Sequence, residues 1–428
     1  MVIEALKNIP AYKNDPDGYL RSLAEAKNKR DAIMTVRLHE PTFGEEEIQA
    51  ACEQMRTTQV TMGAKVREFE SQCADYFGSA HSLMCNSGSS ANLLAIAALS
   101  NPAWMNHLKP GDEVIVPALS WATSVWPIIQ HGLIPVFVDC DLATYNFDYK
   151  KLEAAITQKT RAIMVVHVYG NPCDMDIIMN LAQNHSLWVI EDTCESMGAT
   201  FRSKPVGTFG DIGTMSLYYS HHMTTFEGGL CFVKNHELVN LLRILRAHGW
   251  SREADDHEDY VKQYPRIDPR FIFVNIGYNL RPTEVQAVIG MKQLPKLGEF
   301  IRMRRRAYNK YRVELEKYSD YFRFQERQEN SEPSWFGFCI TLTDRCKFSV
   351  KEITKFLQEN GVETRPIIAG NMARHPALKH YEHRIAGSLE NCDTIMQRGF
   401  AIGCHQDISY PVQEYVVGIL GKFMEKNS

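Results

Sequence analysis

The chain has 428 residues, 44% hydrophobic and 23% charged, which is length for two or three domains and too apolar for general disorder. Its 47 Lys and Arg against 51 Asp and Glu leave a net charge of −4, too balanced to capture nucleic acid or an anionic membrane. No stretch reaches the ~18 unbroken apolar residues of a spanning helix, and Met1–Pro10 lacks the apolar segment of a signal peptide. The expectation is a cytoplasmic protein.

Residues 1–39 are polar and helix-prone, broken at Asn14-Asp15-Pro16-Asp17-Gly18, and are read as an arm. Glu45–Phe77 carries helical periodicity, with Ile48, Ala51, Cys52 and Met55 at three- and four-residue steps. Val- and Ile-rich runs then alternate with helical stretches: Glu113–Pro117, Pro135–Asp139, Ala162–Val168, Leu187–Glu191, Thr214–Tyr219 and Leu230–Val233. Such runs suit strands buried on both faces, so residues 40–290 are predicted to form a doubly wound, mostly parallel α/β domain. Ile301–Tyr318 is a long amphipathic helix whose Arg302, Arg304, Arg305, Arg306 and Lys310 are predicted to form a solvated outer face. A strand at Phe336–Leu342 and helices at Lys351–Asn360 and Gln413–Lys426 complete a smaller α+β domain over 291–428.

The 11 cysteines are scattered, with no C-x-x-C or C-x-C. That excludes a disulfide scaffold and gives no zinc or iron–sulfur framework.

Three clusters carry chemistry. Asn86-Ser87-Gly88-Ser89-Ser90-Ala91-Asn92-Leu93 opens an apolar helix, which suits a phosphate seat and equally an N-cap with a tight turn. Asp192 ends the run Val189-Ile190-Glu191-Asp192, where ligands sit in open α/β sheets, though Asp also caps helices. Adjacent His221 and His222 stand on a polar loop; neighbouring side chains point apart and no third ligand lies at metal spacing.

In this order the clusters resemble the DegT-type sugar aminotransferases, which use pyridoxal 5′-phosphate (PLP) on the aspartate-aminotransferase fold, fold type I. Six residues before Glu227-Gly228-Gly229 stands His221, where that family carries its Schiff-base lysine. Imidazole forms no stable imine with the PLP aldehyde. The replacement resembles the family's 3-dehydratase branch, as do Pro117-Ala118-Leu119-Ser120-Trp121, Arg246-Ala247-His248-Gly249-Trp250-Ser251-Arg252, Gly277-Tyr278-Asn279-Leu280-Arg281-Pro282 and Arg365-Pro366-Ile367-Ile368. A sub-branch coupled to an iron–sulfur cluster carries its cysteines after Arg246, and this chain has none from 232 to 338.

The resemblance implies roles. Asp192 faces the pyridine nitrogen, Trp121 stacks on the ring, and Gly88, Ser89 and Ser216 hold the phosphate. Glu195 lines the same pocket. Asn279 reaches the phosphate of a neighbouring subunit, which requires a homodimer. His248 and Arg252 suit anchors for a carboxylate or sugar, with a surface ion pair as the alternative. Trp335, Arg365 and His405 suit the site and structural roles equally. His221 is the proton carrier of a C3 dehydration. The cofactor alternates between PLP and pyridoxamine 5′-phosphate without metal or cluster. L-glutamate donates the amino group, and the substrate is a nucleotide-linked 4-keto-6-deoxy sugar, GDP by resemblance, hexose or heptose. An aminotransferase would need another lysine, Lys204 or Lys234 being nearest in sequence. A non-catalytic relative would have lost the cofactor residues.

Overall fold

The Val- and Ile-rich runs form the strands of the larger sheet in the computed structural model, which describes residues 34–427. The strands are β1 (His81–Cys85), β2 (Glu113–Pro117), β3 (Ile134–Val138), β4 (Thr160–Val166), β5 (Trp188–Asp192), the short β6 (Thr200–Phe201) and β7 (Lys204–Pro205), β8 (Ile212–Ser216) and β9 (Gly229–Val233). Farther along lie β10 (Phe322–Phe324), β11 (Ser331–Glu332), β12 (Phe338–Leu342), β13 (Thr364–Arg365), β14 (Arg384–Ile385) and β15 (Gly399–Ile402).

Eight of them make one mixed sheet in the order β1-β9-β8-β5-β4-β2-β3-β14. β8, β5, β4, β2, β3 and β14 run parallel to one another, and β9 is antiparallel to both β1 and β8. Alternate side chains feed two cores, as burial on both faces requires. Val114, Val116, Met164 and Phe137 pack with the helix Gly88–Leu99, while Ile115, Ile163, Val165 and Val136 pack against the helices Tyr149–Ala155 and Met175–His185. The helix Gly88–Leu99 is apolar on nearly every side, and ten of its residues are buried. The sheet is thus covered on both sides.

A second, antiparallel sheet has the order β10-β12-β15-β13. Its core is shared with the helices Leu297–Leu315, Val350–Glu359 and Tyr410–Asn427. Val36, in the described end of the expected arm, joins this core and pairs with Val362. Residues 1–33 of the arm lie outside the described residues. Among the described residues, no helix is long and apolar enough to cross a membrane.

Two expectations change, and one strand lies outside the predicted runs. Glu45–Phe77 is two helices, Glu45–Arg56 and Ala64–Phe77, separated before Gly63. On the first, Ile48 and Met55 are exposed, and Glu47 is buried in their place. Its carboxylate takes Lys296 Nζ at 2.7 Å, Gln293 Nε2 at 2.8 Å and the Gly44 N–H at 2.8 Å. Satisfied polar contacts outweigh the apolar pattern there. Arg304, predicted on a solvated face, is 1% exposed. β1 itself carried no strand signal: it is five residues long and starts His81-Ser82.

Candidate active site

The carboxyl ends of β4, β5 and β8, the start of the helix Gly88–Leu99 and the turn after β2 surround a cavity of about 460 Å³. Ligands of open α/β sheets bind at this edge. Seven predicted residues line it together: Gly88, Ser89, Trp121, Asp192, Glu195, Ser216 and His221.

One end of the cavity suits an anion. The first N–H groups of a helix have no intrahelical partner, and here the Ser87 hydroxyl takes only that of Ser90, at 3.1 Å. The N–H groups at Gly88 and Ser89 remain, beside the hydroxyls of Ser89 and Ser216. A Cβ on Gly88 would lie 2.5 Å from Ser216 Cβ and 3.1 Å from Cys194 Sγ. Only glycine lets the helix come this close to β8.

Asp192 stands at another wall. Its Oδ2 accepts from Asn92 Nδ2 and from the Ser124 hydroxyl, both at 2.7 Å, and its Oδ1 accepts the Cys194 N–H at 3.0 Å. Asn92 is oriented in turn by the Thr214 hydroxyl, which donates to its Oδ1 at 2.6 Å. Glu191, the other acid of the pair, points the opposite way. Its carboxylate takes the N–H groups of Gly207, Phe209 and Gly210 and pairs with His167.

The histidines diverge. His221 lines the cavity and its Nδ1–H donates to the Cys194 carbonyl. That bond leaves Nε2 as a lone-pair acceptor. Burial pushes its pKa down to about 4, against the pull of the Cys194 carbonyl and Asp192. The imidazole is therefore neutral throughout the physiological range, well below the ordinary value of about 6.5. His222 is fully buried, with Nε2 donating to Ser334 O at 3.1 Å, and does not line the cavity.

Burial raises Glu195 to about 7, opposed by Arg365 and by the Tyr169 N–H that Glu195 accepts at 3.2 Å. Near neutral pH the carboxyl is divided between protonated and charged forms. Trp121 stands half exposed on the rim.

Among the described residues, no lysine lines the cavity. Lys204 lies over the Phe209 ring at 4.3 Å and Lys234 donates to Phe209 O at 2.8 Å. Both are engaged elsewhere.

Three predicted residues are not brought to His221 within one chain. Arg252 and Asn279 line a separate cavity of about 260 Å³ with Arg281 and Trp250. The Arg252 guanidinium lies 5.1 Å from the Trp250 ring, and Asn279 Oδ1 accepts from Arg281 Nε at 3.0 Å. His248 has φ 64° and its N–H donates to Tyr278 O at 2.6 Å, which fixes the turn against the Gly277-Tyr278-Asn279 loop. Of the residues assigned no single role, Arg365 lines the main cavity, Trp335 stacks on Tyr308, and His405 Nε2 donates to Arg37 O at 3.2 Å. Ser124, Tyr218, Ser220 and Phe336 also line the cavity. Tyr218 and Ser220 stand beside His221 in its motif, Phe336 lies in the Ser334-Trp335-Phe336-Gly337-Phe338 run that also resembles the family, and Ser124 follows Trp121 by one helical turn; the sequence assigns none of the four a role.

Among the described residues, Asp139, Cys140 and Cys392 lie close enough to share a metal ion. The Asp139 carboxylate is already taken by Lys151 and by the N–H groups of Asn391 and Cys392.

The fold and the cleft define an aminotransferase-like protein with an anion seat, an opposing carboxylate and, among the described residues, no lysine between them. Residues 41–421 match the DegT/DnrJ/EryC1/StrS aminotransferase family, and the chain belongs to it. It is 40% identical over 392 residues to the GDP-4-keto-6-deoxy-D-mannose 3-dehydratase of Yersinia pseudotuberculosis, covering 90% of this chain and 98% of that one. Identity to the GDP-perosamine synthase of Caulobacter vibrioides is 32%, over 86% of this chain and 93% of the other. A solved GDP-4-keto-6-deoxymannose-3-dehydratase with a trapped PLP-glutamate geminal diamine superimposes with a TM-score of 0.84 at 35% identity, covering 90% of this chain and all of that one.

Proposed function

We propose that this protein is a PLP- and pyridoxamine-phosphate-dependent 3-dehydratase of a nucleotide-linked 4-keto-6-deoxy sugar, the GDP-linked mannose derivative first among candidates. The observation that carries the reading is His221 in the cleft, with Nδ1 held by the Cys194 carbonyl and, among the described residues, no partner on Nε2 and no lysine in the lining.

The residues present fit the cofactor. The N–H groups at Gly88 and Ser89 and the hydroxyls of Ser89 and Ser216 would hold its phosphate, Asp192 its ring nitrogen and Trp121 its ring face, with Glu195 at the same wall. When bound, the cofactor supplies an amino group for the C4 ketone and an electron sink that makes the C3–O bond labile. His221 Nε2 accepts a proton and passes it to the departing C3 oxygen, which leaves as water. Asp192, held by three donors, keeps its charge aimed at one place. L-glutamate is oxidised to 2-oxoglutarate and ammonia as C3 is reduced, so the electrons balance. A lysine would have released an amino sugar by displacing it, and its absence favours hydrolysis to the 3-deoxy-4-keto product.

Arg252, His248 and Asn279 serve the cavity of a second copy in this reading, which makes the protein a homodimer with shared sites. The neighbourhood supports a partner surface: Phe271, Phe273 and Ile276 are exposed, Ile276 at 91%, and the two Phe rings stack against Trp250. Mixing Asn279→Ala subunits with His221→Asn subunits should restore one active site per mixed dimer. Mixed dimers that stay inactive would place Asn279 elsewhere.

The same reading divides the chain into an arm (1–39), a cofactor domain (40–290) and a small domain (291–428) that brings Phe336 and Arg365 to the cleft. The free cysteines, none of them paired among the described residues, suit the reducing cytoplasm.

A panel of GDP-, CDP- and dTDP-linked 4-keto-6-deoxy sugars, incubated with PLP and glutamate, tests the function. The expected result is a 3-deoxy-4-keto sugar with ammonia and 2-oxoglutarate in equal amounts, fastest for GDP. Formation of a 4-amino sugar would overturn it.

A further inference from the structure

The helix Leu297–Leu315 buries a cation behind the active site. Arg304 is 1% exposed, and no carboxylate among the described residues bonds to it. Its Nη1 donates to three carbonyl oxygens, those of Trp335 at 3.3 Å, Phe336 at 3.2 Å and Cys404 at 3.3 Å. Its Nε is buried without a partner among the described residues. Burial brings its pKa down only to about 10, so it stays charged at neutral pH. Asp407 supports the charge from a distance without bonding to it; a buried charge so weakly compensated is costly, and an apolar side chain of similar size would fill the same space.

What Arg304 holds is the segment that closes the cleft. The Ser334 N–H donates to Gly170 O and the Phe336 N–H to Tyr169 O, each at 2.9 Å. Between them Trp335 has φ 38°, in the left-handed region, with its ring stacked 3.7 Å from Tyr308. That conformation turns the Phe336 ring into the cavity, 5.1 Å from the His221 ring and 5.9 Å from that of His222.

We propose that Arg304 is a positioning residue for the His221 chemistry: it fixes the carbonyls of Trp335 and Phe336 so that the Phe336 ring walls the imidazole, and it sets a positive charge, bonded to carbonyls and to no described carboxylate, behind that imidazole. The inference rests on His221 being the proton carrier. The groups facing His221 are Asp192 at the end of β5, the Cys194 carbonyl after it, Arg365 from β13, Arg304 from its helix, and His222 beside it. Asp192 favours the imidazolium; burial and the two guanidiniums oppose it. An imidazole so placed is neutral when it accepts a proton and surrenders it readily, as a relay requires.

The test uses the titration of His221, read by NMR on carbon-labelled histidine in protein without cofactor and assigned with His221→Asn. The dehydration pH profile is read beside it. Below its midpoint His221 is protonated and Nε2 accepts nothing, so the rate falls on the acid side. The wild-type midpoint is expected at about 4. Arg304→Gln, which keeps a donor and removes the charge, should raise the midpoint and the acid limb by about one unit. Arg304→Lys, which keeps the charge and loses the planar fork, should leave the midpoint in place and lower turnover several-fold. An unmoved midpoint in folded Arg304→Gln overturns the proposal. Should that variant not fold, wild-type turnover in Arg304→Lys overturns it alone. Absence of dehydration with the midpoints as expected would sink the 3-dehydratase reading and leave the role of Arg304 standing.

Discussion

His221→Asn is expected to lower dehydration by about 10²–10⁴-fold, the usual worth of a positioned general acid–base group. Asparagine keeps an amide that can still donate to the Cys194 carbonyl, so the turn that carries it should survive. Cofactor affinity should change little, because the Gly88–Ser89 turn, Ser216 and Asp192 are untouched. His222→Asn should be far milder in rate, since that side chain points to Ser334 O and away from the cavity; its cost is in packing. His221→Lys should form an adduct with PLP that borohydride traps, and should lose dehydration. Steady-state rates for the three variants, with far-UV spectra to check folding, decide the matter. Elimination by His221→Asn at near wild-type rate would remove the imidazole from the chemistry.

The contrast between the two histidines was legible because adjacent side chains on a loop diverge. The strands were legible for a similar reason. β2 occupies the predicted run Glu113–Pro117, and β3 to β5, β8 and β9 lie within two or three residues of theirs. Burial on both faces writes a continuous apolar run into sequence. The cavity residues that motifs mark were legible too: glycine where β8 leaves no room for a Cβ, and a carboxylate at a strand end.

What escaped has no local signature. Ser124 and Asn92 look like any small polar residues on helices, and their importance exists only across the fold, where both donate to Asp192 Oδ2. Arg304 was misread because it sits in a run of arginines. Arg302, two residues away, is exposed and pairs with Glu299, whereas the helical turn points Arg304 inward at three carbonyls. Hydropathy cannot separate these neighbours. Arg252, Asn279 and His248 mark a limit of another kind, since one chain does not bring them to His221.

The network around Asp192 sets up the second large effect. Asp192→Asn is nearly isosteric, yet both orientations of the amide are poor. If its oxygen faces Asn92 Nδ2 and the Ser124 hydroxyl, its NH₂ meets the Cys194 N–H; if reversed, it meets the other two donors. Either way donors oppose one another, at a cost of about 1–3 kcal/mol. The larger loss is electrostatic. With the carboxylate gone, a protonated ring nitrogen has no counter-charge in a buried wall, and breaking a buried charge pair costs about 3–5 kcal/mol. That corresponds to roughly 10²–10⁴-fold in a rate or affinity that depends on the protonated ring. PLP affinity followed by absorbance, and the rate at which glutamate converts the cofactor, should both fall by this order in Asp192→Asn. Ser124→Ala should produce a smaller change in the same direction, because Asp192 Oδ2 keeps Asn92 as a donor. If the Asp192→Asn protein binds PLP and uses glutamate like the wild type, the ring nitrogen does not meet this carboxylate.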